Sequence, residues 1–267
     1  NKPINKMKGL LKIRKKLPLL IAIPTTAGSG SETTLAAVIT DDNHIKYPIN
    51  DFCLIPKYVL LDYKLTLSLP KNITSTTGMD ALTHAIEAYI GRSLTNEAKM
   101  YSLKAIELVL NNLYKAYQYN DEEAKNNMLI ASFYAGCAFT KSYVGYVHAL
   151  AHAIGGKYNL PHGLLNAIIL PKVLIKYDKS IYKKIAFIAK ANNIATENDN
   201  NEISFNKFIN YILELNNKMI IPTKINELNE NDIHYLATLA FNEANPLYPV
   251  PKLFSIKDLE DILKDCK

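Results

Sequence analysis

Apolar positions along this chain change their rhythm once, near residues 66–72. Before that point they come in short runs: Leu19-Leu20-Ile21-Ala22-Ile23, Ala36-Ala37-Val38-Ile39-Thr40 and Tyr58-Val59-Leu60-Leu61-Asp62, separated by prolines, glycines and an Asp41-Asp42-Asn43 turn. Short apolar, β-branched runs closed by turn formers predict strands. The unbroken run Leu19–Ile23, set between Pro18 and Pro24, predicts a strand buried on both faces. After Pro70 the period lengthens. Thr74–Tyr89, Asn96–Tyr117, Glu122–Phe139, Tyr146–Lys157 and Leu164–Ile175 show 3.6-residue spacing or near-continuous apolar content, and predict helices. Further helices are expected over 181–191, 205–216, 231–242 and 256–264, with Asn192–Glu202 as a polar surface loop. The predicted fold is mainly α with a small α/β part: residues 1–70 form a β-containing unit and residues 71–267 an all-helical domain.

Composition fits that picture and narrows the function. At 267 residues, 48% hydrophobic and 21% charged, the chain can bury a core without staples. A net charge of +6 raises the question of nucleic acid, and its placement answers it. Residues 1–16 hold seven of the 31 basic side chains (Lys2, Lys6, Lys8, Lys12, Arg14, Lys15, Lys16) and no acid, which leaves 24 basic against 25 acidic elsewhere. The excess is one N-terminal arm on a neutral body, not a surface tracking phosphates, so no nucleic-acid partner is expected. Cys53, Cys137 and Cys266 are odd in number and widely spaced, as suits a reducing compartment. The basic stretch Lys12–Lys16 followed by apolar residues mimics a signal peptide, but it starts inside the chain and prolines interrupt it. No run reaches the roughly 18–20 apolar residues of a membrane span. The expectation is a cytoplasmic protein with no membrane partner.

Candidate chemistry sits in two windows. In Thr77-Gly78-Met79-Asp80-Ala81-Leu82-Thr83-His84-Ala85-Ile86-Glu87-Ala88-Tyr89, Asp80 and His84 are four residues apart. On a helix such a pair shares one face, roughly 6 Å apart, and can reach one cation. The flanking residues Met79, Ala81, Leu82, Ala85 and Ile86 are apolar, so the pair faces a packed interior. A buried carboxylate and imidazole both need partners, and a divalent ion supplies one to each. The second window holds His148, His152 and His162. His148 and His152 share a helical face, but Ala-Leu-Ala lies between them where a zinc protease would carry its glutamate. His162 follows Pro161 at an expected helix start. Three imidazoles and a carboxylate with one open position suit Fe2+ or Zn2+; spacing leaves open which three histidines are ligands. The turn Thr25-Thr26-Ala27-Gly28-Ser29-Gly30-Ser31-Glu32 offers hydroxyls and glycine amides just past a strand, a place to hold phosphate or ribose, without a GxGxxG fingerprint.

Together Ile23–Glu32, Thr77–Tyr89, His148-Ala149-Leu150-Ala151-His152 through Pro161-His162-Gly163, and Asn166–Pro171 resemble the iron-containing (group III) alcohol dehydrogenase family. The likeness runs over nearly the whole chain. It implies that residues 1–70 are the C-terminal part of a cofactor-binding α/β domain. Residues 71–267 are then a helical metal-binding domain of dehydroquinate-synthase-like architecture. It implies Asp80, His84, His148 and His162 as metal ligands, and His152 as a catalytic residue facing nicotinamide and substrate. Thr25, Thr26, Ser29 and Ser31 match a cofactor-contacting segment, and Lys46 and Phe139 match further cofactor-side positions. The implied cofactors are Fe2+ or Zn2+ with NAD or NADP, the substrate a small alcohol or aldehyde, and the assembly a homodimer. One departure matters: nothing before Lys16 matches the family's glycine-rich GGGS segment, so the chain looks like the C-terminal two thirds of a member.

Overall fold

The computed structural model describes residues 3–40 and 46–267, and Asp41-Asp42-Asn43, the expected turn, lies outside the described residues. Five short strands come first: β1 (Gly9–Leu10), β2 (Ile21–Ala22), β3 (Ala36–Thr40), β4 (Lys46–Asn50) and β5 (Tyr58–Val59). They form two small sheets, one in the order β1-β4-β3 and the other a parallel pair of β2 with β5. β3 and β4 are antiparallel, with Ala36 opposite Asn50 and Ala37 opposite Ile49.

The strand expectations are corrected in two places. The run Leu19–Ile23 pairs over two residues only, and Leu19, Leu20, Ile21 and Ile23 are exposed instead of buried on both faces. The expected strand over 58–62 likewise shortens to Tyr58–Val59, with Tyr58 and Leu60 exposed. The physical reason is the sheet itself. Among the described residues β2 pairs with β5 alone, so the pair lacks the flanking layers that bury a parallel strand.

Nine helices follow among the described residues: α1 (Lys71–Ile90), α2 (Asn96–Gln118), α3 (Glu122–Ser142), α4 (Tyr146–Tyr158), α5 (His162–Tyr177), α6 (Tyr182–Ala191), α7 (Asn201–Lys218), α8 (Ile233–Ala244) and α9 (Ile256–Cys266). Each matches an expected window, extended or shifted by at most about one turn. Several starts are set locally. Thr95, Asp121 and Asn200 accept from backbone N–H groups in the first turns of α2, α3 and α7, and Ser255 with Asp258 closes a capping box on α9.

α1 is the hub. Every residue from Gly78 to Ile90 is buried, with Asp80, Thr83, His84 and Glu87 set among apolar neighbours in the core. Met79, Leu82 and Ile86 are fully buried, each worth about 1.5–3 kcal/mol relative to exposure. Gly78 admits Leu113 of α2 and Met128 of α3 so closely that a Cβ there would collide with both side chains. α2 and α3 pack on one side of α1 and α5 on another, while α4 lies between α5 and α8. The central helix therefore carries Asp80 and His84 into the interior, where α4 and α5 meet it.

Candidate metal centre

Four side chains predicted from sequence converge on one point. Asp80 Oδ1 lies 3.8 Å from His84 Nδ1, 3.7 Å from His148 Nε2 and 3.5 Å from His162 Nε2. Ligand atoms about 2.0–2.2 Å from a common ion stand roughly 3.3–3.6 Å apart in a tetrahedral set, so these spacings are close to a shared cation's. Asp80, His84 and His148 are buried and offer ligand atoms within 4.8 Å of one another. His162, at the first position of α5, is more open, its side chain 38% exposed. The sequence puts it there through Pro161, whose ring leads into the helix, and Gly163, which lies against the Thr76 backbone of α1 with no room for a Cβ.

Two residues not singled out in the sequence build this wall. Glu87, on α1 one turn beyond His84, accepts from Gly145 N and Val147 N at 2.8 Å each, and its Oε2 is 2.6 Å from His148 Nδ1. The same carboxylate therefore caps α4, which has no side-chain cap of its own next door, and fixes the imidazole so that Nε2 faces Asp80. Asn166, fully buried on α5, donates from Nδ2 to Asp80 Oδ1 at 2.7 Å, with His162 Nε2 at 3.0 Å and His148 Nε2 at 3.2 Å. An amide nitrogen has two hydrogens and meets three potential acceptors, which marks the point as one that favours positive charge. The Asp80-x3-His84-x2-Glu87 spacing was the signal for Glu87, since all three share a helix face. Asn166 follows His162 by one turn, the corresponding hint for it.

The electrostatics divide the three rings. Burial drives the His84 imidazole down to about 3, against the pull of Asp80 and with a small upward push from the Gly28 backbone. Burial also takes His162 down to about 4. Both rings are thus neutral at pH 7, the form that binds a metal. Burial raises the Asp80 carboxyl, but the imidazoles of His84, His162 and His148 outweigh it and hold the group below the usual carboxylate range. Burial opposes charge on His148 too, but hydrogen bonds to Asp80 and Glu87 prevail and lift it to about 9, so a cation would have to displace a proton from its Nε2.

His152 stands apart from that cluster. Its ring stacks on His162 with centroids 5.0 Å apart, but its side chain is 46% exposed and its Nδ1 is 2.7 Å from Glu243 Oε1 on α8. Tyr248 donates its hydroxyl to the same oxygen at 2.6 Å. Burial raises Glu243, and hydrogen bonds from His152 and Tyr248 outweigh it, so the carboxyl sits low and ionised. Beside this pair opens a hollow of about 520 Å³ lined by His152, Gly156, Lys157, Tyr235, Leu239 and Glu243, with Ala153.

Most of the expected cofactor-side residues lie near α1 and α3. The Thr25–Glu32 turn packs on α1 and α3. A Cβ on Gly28 would stand 2.6 Å from Thr77, and Gly30 takes a left-handed φ of +58° against Gly136. Thr25, Ser29 and Ser31 are exposed and Thr26 half-buried, with Ser29 donating to Ser31 at 3.2 Å. Phe139 stacks on His84 at 4.3 Å, which places it against a candidate ligand. The Lys46 side chain lies outside the described residues.

A divalent cation fits this set. His84 Nδ1 is buried without a hydrogen-bond partner yet faces Asp80, an orphan that coordination would satisfy. Fold and site define a mainly helical chain with a small α/β part and a candidate metal site in its core. The family model for the C-terminal part of the Fe-containing alcohol dehydrogenases matches residues 74–266, and the iron-containing alcohol dehydrogenase model matches residues 2–63. The chain belongs to the iron-containing alcohol dehydrogenase family. It is 40% identical over 216 residues to an NADPH-dependent butanol dehydrogenase of Clostridium saccharobutylicum, covering 80% of this chain and 55% of that protein. Over 266 residues it is 32% identical to an NAD-dependent methanol dehydrogenase of Bacillus methanolicus, covering 98% of this chain and 70% of the relative. Among solved structures it is similar to a 1,3-propanediol oxidoreductase, with a TM-score of 0.94 and 31% identity over 98% of this chain and 69% of that one. The chain thus spans between about half and 70% of the length of these relatives.

Proposed function

We propose that this chain is the metal-bearing part of an NAD(P)-dependent alcohol dehydrogenase that interconverts a small alcohol with its aldehyde or ketone. The observation that carries the reading is the convergence of three imidazole nitrogens on Asp80 Oδ1 at 3.5–3.8 Å. Bound there, Fe2+ or Zn2+ would supply Lewis-acid stabilisation of an alcohol oxygen, with NAD or NADP as hydride acceptor.

The chain's own residues divide the remaining work. Asp80, His84, His148 and His162 hold the ion, and Glu87 keeps His148 turned toward it. His152 takes the hydroxyl proton at Nε2 during oxidation and returns it during reduction. Phe139, stacked on His84, keeps water from that side of the centre. Thr25, Thr26, Ser29, Ser31 and Lys46 serve the dinucleotide, and the hollow beside His152 receives the carbon chain of the alcohol. In this reading residues 1–70 are the C-terminal part of a cofactor-binding α/β domain and 71–267 the metal-binding domain. The change from strands to helices at Lys71 supports that division. Among the described residues no helix is long and apolar enough to cross a membrane. Three free cysteines support a cytoplasmic setting. Assembly as a homodimer rests on family membership and is read directly by sedimentation.

A second reading, a helical metal-binding unit without turnover of its own, is favoured by the exposed apolar residues flanking β2 and β5. One experiment separates the two. The chain is loaded with Fe2+ or Zn2+, its metal content is measured, and NAD(P)H formation is followed with 1-butanol or 1,3-propanediol. The expected result is one metal per chain, lost in His84→Ala, together with alcohol-dependent NAD(P)H formation. Metal retained in the variant sinks the ligand set; metal bound without turnover selects the second reading.

A further inference from the structure

We propose that Glu243 is a positioning residue that holds His152 in the tautomer protonated on Nδ1, so that Nε2 carries the lone pair. The inference rests on the reading above in which His152 exchanges the substrate proton.

The geometry leaves little freedom. Glu243 Oε1 lies 2.7 Å from His152 Nδ1 and also accepts the Tyr248 hydroxyl at 2.6 Å. An ionised carboxylate only accepts, so the imidazole nitrogen facing it is the one bearing hydrogen. In a neutral ring the other nitrogen is then the acceptor. Tyr248 cannot reverse the pattern, because burial and the neighbouring carboxylate raise its hydroxyl far above the ordinary range and keep it a donor. The carboxylate is anchored as well. Glu243 is in the last turn of α8, and the chain folds back so that Tyr248 N donates to Ala244 O at 2.7 Å. The nearest cation of the hollow, Lys157, is engaged 2.6 Å from Asp232 and does not compete for Glu243. Glu87 and His148 make the same type of contact at 2.6 Å, Oε2 to Nδ1. Each histidine of α4 is thus oriented by a glutamate from a different helix, one turning Nε2 to the metal and the other turning Nε2 to the substrate's proton.

The test reads the tautomer directly, without turnover. Zn2+-loaded chain labelled with 15N-histidine is measured by long-range 1H–15N spectra at about pH 8, where an ordinary imidazole is neutral. His152 is identified by the signal lost in His152→Gln. The wild-type ring should carry its proton on Nδ1. In Glu243→Leu the Nε2-protonated form should rise from a minor species to at least half, with metal content unchanged. In a turnover assay of the same variant kcat should fall about 10–100-fold, the usual loss for an orienting partner, with little change in KM. A proton found on Nε2 in the wild type, or an unchanged tautomer in Glu243→Leu, overturns the proposal. If the leucine variant does not fold, the wild-type spectrum still decides. The two readings fail separately: turnover that survives His152→Gln removes the proton role, whatever the tautomer shows.

Discussion

One turn of α4 separates two histidines that live in different surroundings. His148 is 2% exposed and faces Asp80, with Glu87 behind it bound also to two backbone N–H groups. The His152 side chain is 46% exposed, and Glu243 behind it is itself 34% exposed. The pairing is the same, imidazole on carboxylate; the solvent is not. On the buried wall each hydrogen bond replaces water that cannot return, so the carboxylate is structural as well as orienting. On the open wall water can take either partner's place, and the carboxylate chiefly selects a tautomer. A metal centre needs the first kind of support, because its ligands must stay fixed and dehydrated. A proton-exchanging group needs the second, because its proton must leave.

The sharpest way to break this contrast is to remove each glutamate in turn. Glu87→Ala would leave Gly145 N, Val147 N and His148 Nδ1 without their acceptor in a buried setting. Unsatisfied buried groups cost about 1–3 kcal/mol each, and breaking a buried pair about 3–5 kcal/mol. A loss of about 3–5 kcal/mol in urea unfolding is therefore expected, together with a metal affinity lowered about 10–100-fold. Removing Glu243 from the open wall exposes His152 to water and takes one acceptor from Tyr248, and should cost about 1 kcal/mol. Equal losses from the two changes would erase the distinction between the walls.

The same contrast explains what the sequence allowed to be read. Asp80 and His84 were legible because helical spacing places them on one face and their neighbours are apolar. His148 and His162 were legible as members of a histidine cluster, while their separation from His152 came only with the family resemblance. Glu87 shared the legible face but did not stand out, since a glutamate on a helix is more often solvated than a cap for another helix. Glu243 left no local trace at all. It meets His152 across 91 residues, and no periodicity reports a contact between α4 and α8. The helices of the core were foreseen because each buries a stripe within this chain. The Leu19–Ile23 strand was overdrawn for the converse reason: a continuous apolar run foretells burial only where two layers exist to cover it, and β2 has β5 alone among the described residues.

The smallest effect sharpens the contrast most finely, because it touches the open wall without touching a hydrogen bond. Gly156 lies in the last turn of α4 and lines the hollow beside His152, and a Cβ added there would meet nothing within 4 Å. Glycine inside a helix is less stable than alanine by roughly 0.5–1 kcal/mol, so Gly156→Ala should raise the unfolding free energy by about that amount. Metal content should not change, since none of the four candidate ligands lines the hollow. A larger side chain, in Gly156→Leu, would occupy the hollow. If the alcohol's carbon chain lies there, KM should rise for 1-butanol more than for methanol while metal binding stays intact. Equal effects on the two alcohols would place the substrate elsewhere and reduce the hollow to a feature of the surface. Lost metal would mean that the two walls of the site are coupled after all.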